Sequence, residues 1–321
     1  MFLFLSLNSG KNRNIYKYQL PLTIMDALKT YETTLKNGNI HIYLVNSCYD
    51  RCAHCYINAV PETSPKTKSI DTEDLLHFID LMQQDKSVGL NIGLSGGDPL
   101  LHPEITTILD SISNHSQIEV LTSGFALSKR NKNNRQELLE ALVKNNVNCI
   151  VASPDEPYHS ITWDDVADIR KYIKKQGFNP NRLGYPSKKK QTMQKVLLGT
   201  TIIGGVMLAI DYLQKKICGE NKPTIIPLGR GKTLPIEQQK TGQKDCKMIE
   251  RADQIYVNYN GELQYCMYSC HDGFMNISEL KEIGTKDETI KYVLNRLSYD
   301  KTFQDMNKYN RCYFSKKIRK K

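Results

Sequence analysis

Cys48-Tyr49-Asp50-Arg51-Cys52-Ala53-His54-Cys55 follows directly on the apolar run His41-Ile42-Tyr43-Leu44-Val45. The run reads as a short buried strand, and the cysteines sit in the loop at its carboxyl end. Three cysteines within eight residues can supply three thiolates to one centre. A zinc finger would match such a group with a second Cys or His pair at a fixed spacing, which does not suit this run. A tight loop wrapped round one corner of an iron–sulfur cube does suit it. A cube held by three thiolates leaves one iron open for chemistry. The competing readings are a structural zinc site and buried free thiols.

Outward from this loop, strands and helices alternate. A helix opens at Asp71, an N-cap with Asp74 three residues on, and turns Leu75, Leu76, Ile79 and Met82 inward. Residues 89–94 read as a second strand that exits into Ser95-Gly96-Gly97-Asp98-Pro99. The next helix has Pro103 near its first turn and Ile105, Ile108, Leu109 and Ile112 on one face. A third strand, 118–121, exits into Thr122-Ser123-Gly124, and a helix with Leu138, Leu139, Leu142 and Val143 inward follows. A fourth strand, 148–152, exits into Ser153-Pro154-Asp155, before a helix capped by Thr162 with Asp165. A basic linker over about 175–195 precedes a fifth strand at 196–203, a helix at 205–216 and a sixth strand at 224–228 ending in Gly229-Arg230-Gly231. Six such alternations imply parallel strands with right-handed crossovers. Barrels of this kind carry their sites at the carboxyl ends of the strands, where all five unusual exits fall.

The cysteine run resembles the cluster loop of the radical S-adenosylmethionine (radical SAM) superfamily, C-x3-C-x-aromatic-C, with His54 in the aromatic place. The resemblance covers about residues 40–231 and implies a six-stranded partial (β/α)6 TIM-like barrel. It implies a [4Fe–4S] cluster on Cys48, Cys52 and Cys55, whose open iron chelates SAM. Reductive cleavage of SAM would then give a 5′-deoxyadenosyl radical. Gly96-Gly97-Asp98 stands where the family has GGE: the glycines would let backbone approach SAM, and Asp98 would pair with its ammonium. Asp is one methylene shorter than Glu. Ser153 and Asp155 resemble ribose contacts, and Arg230 a basic residue near the SAM carboxylate or the substrate. Gly199-Thr200-Thr201-Ile202 is a loose match to an adenine motif, which strand packing explains equally well.

Beyond residue 231 the alternation stops. Cys246, Gly261 and Cys266 have the spacing that opens the SPASM and twitch extensions of this family, with a hairpin signal at Ile255–Tyr265 around Asn260-Gly261. The denser cysteine set of a full SPASM domain is missing. The resemblance therefore implies a small C-terminal twitch-type domain with one auxiliary [4Fe–4S] cluster on Cys246, Cys266, Cys270 and Cys312. A zinc site on the same thiolates is the competing reading. The expected domains are an extension at 1–39, a barrel at 40–231 and an auxiliary domain at 232–321. The helical segment Thr23 to Leu35 could cover the barrel or face a partner. Cys149 could face the barrel interior or pack in the core, the latter preferred.

Nine cysteines spread unevenly speak against a disulfide framework, and no run is long enough to span a membrane. The apolar start lacks a basic flank and a cleavage site, so a cytoplasmic protein is expected. The net charge of +10 is partly local, in Lys188–Lys190 and in the tail 316–321. These read as a solvated loop and tail rather than a nucleic-acid surface. Expected partners are a peptide or small-molecule substrate, an electron donor such as flavodoxin or ferredoxin, and a separate peptide-recognition protein. The resemblance favours modification of a ribosomally made peptide by crosslinking, thioether formation or epimerisation. A small-molecule substrate such as a sugar or cofactor precursor is the alternative. A non-catalytic metal-stabilised binding protein is the third.

Overall fold

The computed structural model describes residues 24–52, 55, 57–84, 89–114, 117–131, 133–151, 159–177, 254–264 and 273–309. The sequence-expected fifth and sixth strands lie outside these residues. What is described is an α/β fold around one mostly parallel sheet. The sheet strands are β1 (Asn39–Val45), β4 (Asn91–Gly96), β5 (Gln117–Thr122), β6 (Asn148–Val151), β7 (Ile255–Val257), β8 (Glu262–Gln264) and β9 (Gly273–Asn276). Their order is β6-β5-β4-β1-β7-β8-β9. A separate two-residue ladder pairs β2 (Ser47–Cys48) with β3 (Val60–Pro61).

From β1 through β4, β5 and β6 the order steps one way, every pair parallel. The helices α2 (Thr72–Gln83), α3 (Ile105–Ile112), α4 (Arg135–Lys144) and α5 (Trp163–Lys175) lie along this stretch of chain. Their apolar residues join one core cluster with Ile40, Ile42, Leu44, Ile92, Leu94, Ile118, Val120, Cys149 and Val151. Strand side chains alternate between faces, so this set is one face of the sheet. Steady stepping in one direction is consistent with the TIM-like arrangement; a doubly wound sheet would reverse its order. Cys149, 3% exposed, belongs to the helix-covered face, so it is a packing residue.

The caps follow the sequence. Asp71 accepts a hydrogen bond from the Asp74 amide at 2.9 Å. Thr162 and Asp165 form a reciprocal capping box at the start of α5. Each such cap is worth about 1 kcal/mol. The helix at the amino-terminal end of the described chain, α1 (Ile24–Asn37), buries Ala27, Tyr31 and Leu35. Tyr31 meets Phe274 edge-on, and its hydroxyl reaches the Gln264 carbonyl at 3.4 Å. The helix also packs on α6 (Lys286–Tyr299), which is followed by α7 (Lys301–Tyr309). It thus covers the far edge of the sheet.

The hairpin expected at Ile255–Tyr265 is present as β7 and β8. Its turn is built by Asn258, whose Oδ1 accepts from the Asn260 and Glu262 amides, both at 2.9 Å, while Gly261 takes φ +77°. The sequence reading placed it in a separate small domain. Here β7 pairs in parallel with β1 and extends the main sheet. Ile255, Val257 and Leu263 are fully buried in the same core as strands β1 and β4 to β6, which gives the hairpin its footing.

At the carboxyl end of β4 the backbone turns onto the exit of β1. The Gly97 amide donates to the Val45 carbonyl and the Asp98 amide to the Ser47 carbonyl, both at 2.8 Å. Gly96 has φ +139°, a region side chains disfavour. A Cβ on Gly97 would lie 2.0 Å from the Ser47 carbonyl oxygen. This contact sets where the Cys48 loop begins. Gly97→Ala should therefore force the two exits apart and cost about 3 kcal/mol, seen as a lower urea midpoint. An unchanged midpoint would show that the contact is not a constraint.

Candidate metal and cofactor site

Three polar exits meet at the carboxyl ends of β1, β4 and β5: the loop from Ser47 to Cys55, the turn Gly96–Asp98, and Thr122–Gly124. Asp98 joins them. It is fully buried. Its Oδ1 accepts from the Thr122 hydroxyl at 2.8 Å and the Leu100 amide at 3.2 Å. Its Oδ2 accepts from the Ser123 hydroxyl at 2.5 Å. Burial pushes the carboxyl pKa up, opposed by the hydrogen bonds from Ser123, Thr122 and Leu100. The carboxylate is thus an internal tie between two strand exits, and Thr122 is further fixed because its Oγ1 accepts from the Gly124 amide at 3.0 Å.

The cysteine loop lies beside this tie. Cys48, Cys52 and Cys55 are in no disulfide among the described residues. Cys48 is buried, packs with Ile57 and Ala59, and accepts from the Asp50 amide at 3.3 Å. Cys55 packs on the same small cluster and accepts from the Ala59 amide at 3.4 Å. The Cys55 amide in turn donates to the Cys52 carbonyl at 3.1 Å. Burial, then the nearby negative charge of Asp98, pushes the Cys48 thiol well above its usual range. A bare thiolate is costly there, and a bound cation would remove that cost. Backbone amides aimed at sulfur are also what tunes iron–sulfur centres. The loop, thiols outside any disulfide and the amides aimed at the Cys48 and Cys55 sulfurs fit a cluster held by these three residues.

Residues that the sequence did not single out hold the loop in place. The Tyr49 ring packs on Phe125 at 4.7 Å between centroids, and the Arg130 guanidinium lies over Phe125 at 5.2 Å. Arg130 pairs with Asp165 at 2.6 Å and also donates to the Ser160 carbonyl. Asp50 accepts from the Ser160 amide at 2.8 Å. The loop is therefore anchored to the β5 exit and to the segment before α5. Tyr49 and Asp50 were visible as the variable positions of the cysteine run. Phe125, Arg130 and Ser160 follow no spacing rule and become neighbours only through the strand order.

Of the residues expected at the site, Cys48, Gly96, Gly97 and Asp98 lie together at the exits of β1 and β4, and Cys52 and Cys55 follow Cys48 in the same loop. His54, Ser153, Asp155 and Arg230 lie outside the described residues, as do Cys246, Cys266, Cys270 and Cys312. No helix among the described residues is long and apolar enough to cross a membrane.

Among known proteins, the chain is similar to two GTP 3′,8-cyclases. That of Trichodesmium erythraeum (strain IMS101) is 26% identical over 142 residues, covering 40% of this chain and 42% of the relative. That of Microcystis aeruginosa (strain NIES-843 / IAM M-2473) is 31% identical over 96 residues, covering 27% of this chain and 28% of the relative. The chain thus spans less than half the length of either. Among solved structures, it is similar to BtrN in complex with AdoMet and 2-DOIA, with a TM-score of 0.47 and 12% identity over 85% of this chain and 87% of that one. It is also similar to Streptococcus suis SuiB bound to precursor peptide SuiA, with a TM-score of 0.36 and 11% identity over 93% and 74%. Residues 42–197, from the first strand past the cysteine loop and the Gly96-Gly97-Asp98 turn, match the family model of the radical SAM superfamily.

Proposed function

We propose that this chain is a radical SAM enzyme. The observation that carries the reading is that the loop bearing Cys48, Cys52 and Cys55 starts at the exit of β1, where backbone hydrogen bonds tie that exit to the Gly96-Gly97-Asp98 turn, within the stretch that matches the family model. Cys48, Cys52 and Cys55 would hold a [4Fe–4S] cluster. When bound, the cluster and SAM supply reductive cleavage to a 5′-deoxyadenosyl radical that takes hydrogen from a substrate. The chain's own part is to hold three sulfurs at fixed spacing, to keep the loop partly dry and to orient the ligand. His54, Ser153, Asp155 and Arg230 are the further SAM contacts in this reading. Catalysis by such an enzyme is positioning as much as chemistry.

The auxiliary cluster on Cys246, Cys266, Cys270 and Cys312 remains part of the proposal. The β7–β8 hairpin supports it: β8 ends two residues before Cys266, on a strand footed in the core. The substrate class follows from that group by analogy, and a ribosomally made peptide is the first choice. The similarity to GTP 3′,8-cyclases favours the second, a small molecule. Incubation of the reconstituted enzyme with candidate peptides and nucleotides, with products read by mass spectrometry, separates them. A flavodoxin or ferredoxin would supply the electron, and a cytoplasmic setting fits oxygen-sensitive clusters.

Anaerobic reconstitution tests the core of this reading. The wild-type chain should bind about eight irons and form 5′-deoxyadenosine, while a Cys48→Ala, Cys52→Ala, Cys55→Ala triple variant should keep about four irons and form none. Wild-type rates of 5′-deoxyadenosine formation by the triple variant would end the assignment. Asp98 has two roles to separate, the internal tie and a charge facing SAM. Asp98→Asn keeps the shape, and the Ser123 and Thr122 hydroxyls can turn to suit it. A charge-assisted bond is worth roughly 1.5–3 kcal/mol, so the SAM dissociation constant should rise about tenfold or more. Unchanged SAM binding would leave Asp98 as a structural tie alone.

A further inference from the structure

Asp50 is a buried carboxylate with part of its hydrogen-bonding capacity unused. It is 4% exposed, and its Oδ1 accepts from the Ser160 amide at 2.8 Å, which fixes the group in orientation. Its Oδ2 is buried with no hydrogen-bond partner among the described residues. A buried carboxylate oxygen without a donor costs stability, and a group kept at that cost calls for a role.

Two sulfurs of the cysteine loop adjoin this residue. The Asp50 amide donates to Cys48 Sγ at 3.3 Å. One of its carboxylate oxygens, the Cys52 sulfur and a ring nitrogen of His159 all lie within 4.8 Å of one another. In the cluster reading the Cys52 sulfur belongs to iron, so Asp50 and His159 stand behind a ligand and are not ligands themselves. The His159 nitrogen is close to two acceptors, a carboxylate oxygen and a sulfur, and the tautomer that suits both carries its hydrogen there. The Cys52 sulfur is therefore flanked by a negative charge and by a hydrogen-bond donor.

We propose that Asp50 and His159 set the reduction potential of the cluster, acting in opposite directions through Cys52. The inference rests on the cluster reading and adds to it the residues that tune the centre. The potential of an iron–sulfur centre follows its charge and the hydrogen bonds to its sulfurs, and groups behind a ligand adjust both. Reduction adds one negative charge to the cluster. The Asp50 carboxylate, dry and without a donor on Oδ2, opposes that charge with little screening and lowers the potential. An N–H from His159 to the sulfur favours the reduced state and raises it. A lower potential makes the reduced cluster a stronger one-electron donor, which is what reductive cleavage of SAM asks of it. Neither residue follows from the cysteine spacing: Asp50 fills an open position of the run, and His159 arrives from the segment before α5.

The test is a redox titration of the full-length, anaerobically reconstituted chain, read by electron paramagnetic resonance. The signal to follow is the component missing from the Cys48→Ala, Cys52→Ala, Cys55→Ala variant. Asp50→Asn removes the charge and keeps the shape, and its midpoint should lie above that of the wild type. His159→Phe removes the N–H and keeps a flat ring, and its midpoint should lie below. Iron content should be the same in all three. His159→Phe leaves the Asp50–Ser160 hydrogen bond alone, so it decides the matter if Asp50→Asn fails to hold iron. A His159→Phe midpoint at or above that of the wild type, or an Asp50→Asn midpoint at or below it, would overturn the inference and leave the cluster reading intact. Absence of the component from the wild type would overturn both.

Discussion

The rest of the site depends on one backbone contact. At the end of β4 the chain comes so close to the end of β1 that two amides donate to carbonyls at 2.8 Å, and no side chain fits between. Parallel neighbours leave their exits side by side, but the Gly96–Gly97 turn locks this pair together. The lock fixes Ser47, and Ser47 fixes the start of the cysteine loop. It also delivers Asp98 into a fully buried place between β4 and β5, where two hydroxyls and an amide hold it. Three strand exits are thus set with respect to one another by hydrogen bonds that involve no ligand.

The loop that hangs from this lock is supported from two sides. Packing of Cys48 and Cys55 on Ile57 and Ala59 holds one side. The Tyr49–Phe125–Arg130 stack and the Asp50–Ser160 hydrogen bond hold the other. Placing the reactive group on a loop fastened to rigid strands is how such folds combine accuracy with room for a ligand. The cost of burying sulfur here is what makes the loop a place for cations: Cys48 is disfavoured as a bare thiolate.

Much of this was legible in the sequence, for identifiable reasons. The caps at Asp71 and Thr162 are local, so three or four residues suffice to read them. Strands 39–45, 91–96, 117–122 and 148–151 are short apolar runs ended by polar exits, and their order follows from chain connectivity. The hairpin at 255–264 was legible from its turn, but not its place. That β7 lies against β1, more than two hundred residues away in sequence, depends on apolar burial that no local pattern encodes. The partners of Asp98 were hidden for the same reason. An acid after two glycines reads as a group presented to a ligand, whereas Thr122 and Ser123 are brought to it only by the β4–β5 pairing. The orientation of Cys149 was decided by which face the helices cover, again a property of the assembled sheet.

The central claim is that the loop at the end of β1 holds a cluster with an iron open to SAM. Electron paramagnetic resonance of the anaerobically reconstituted and reduced protein, recorded with and without SAM, tests it most directly. The account predicts a reduced [4Fe–4S] signal whose shape changes when SAM is added, and loss of that SAM-sensitive component when Cys52 is replaced by Ala. A spectrum indifferent to SAM, or a loop that retains zinc and gives no such signal, would contradict it.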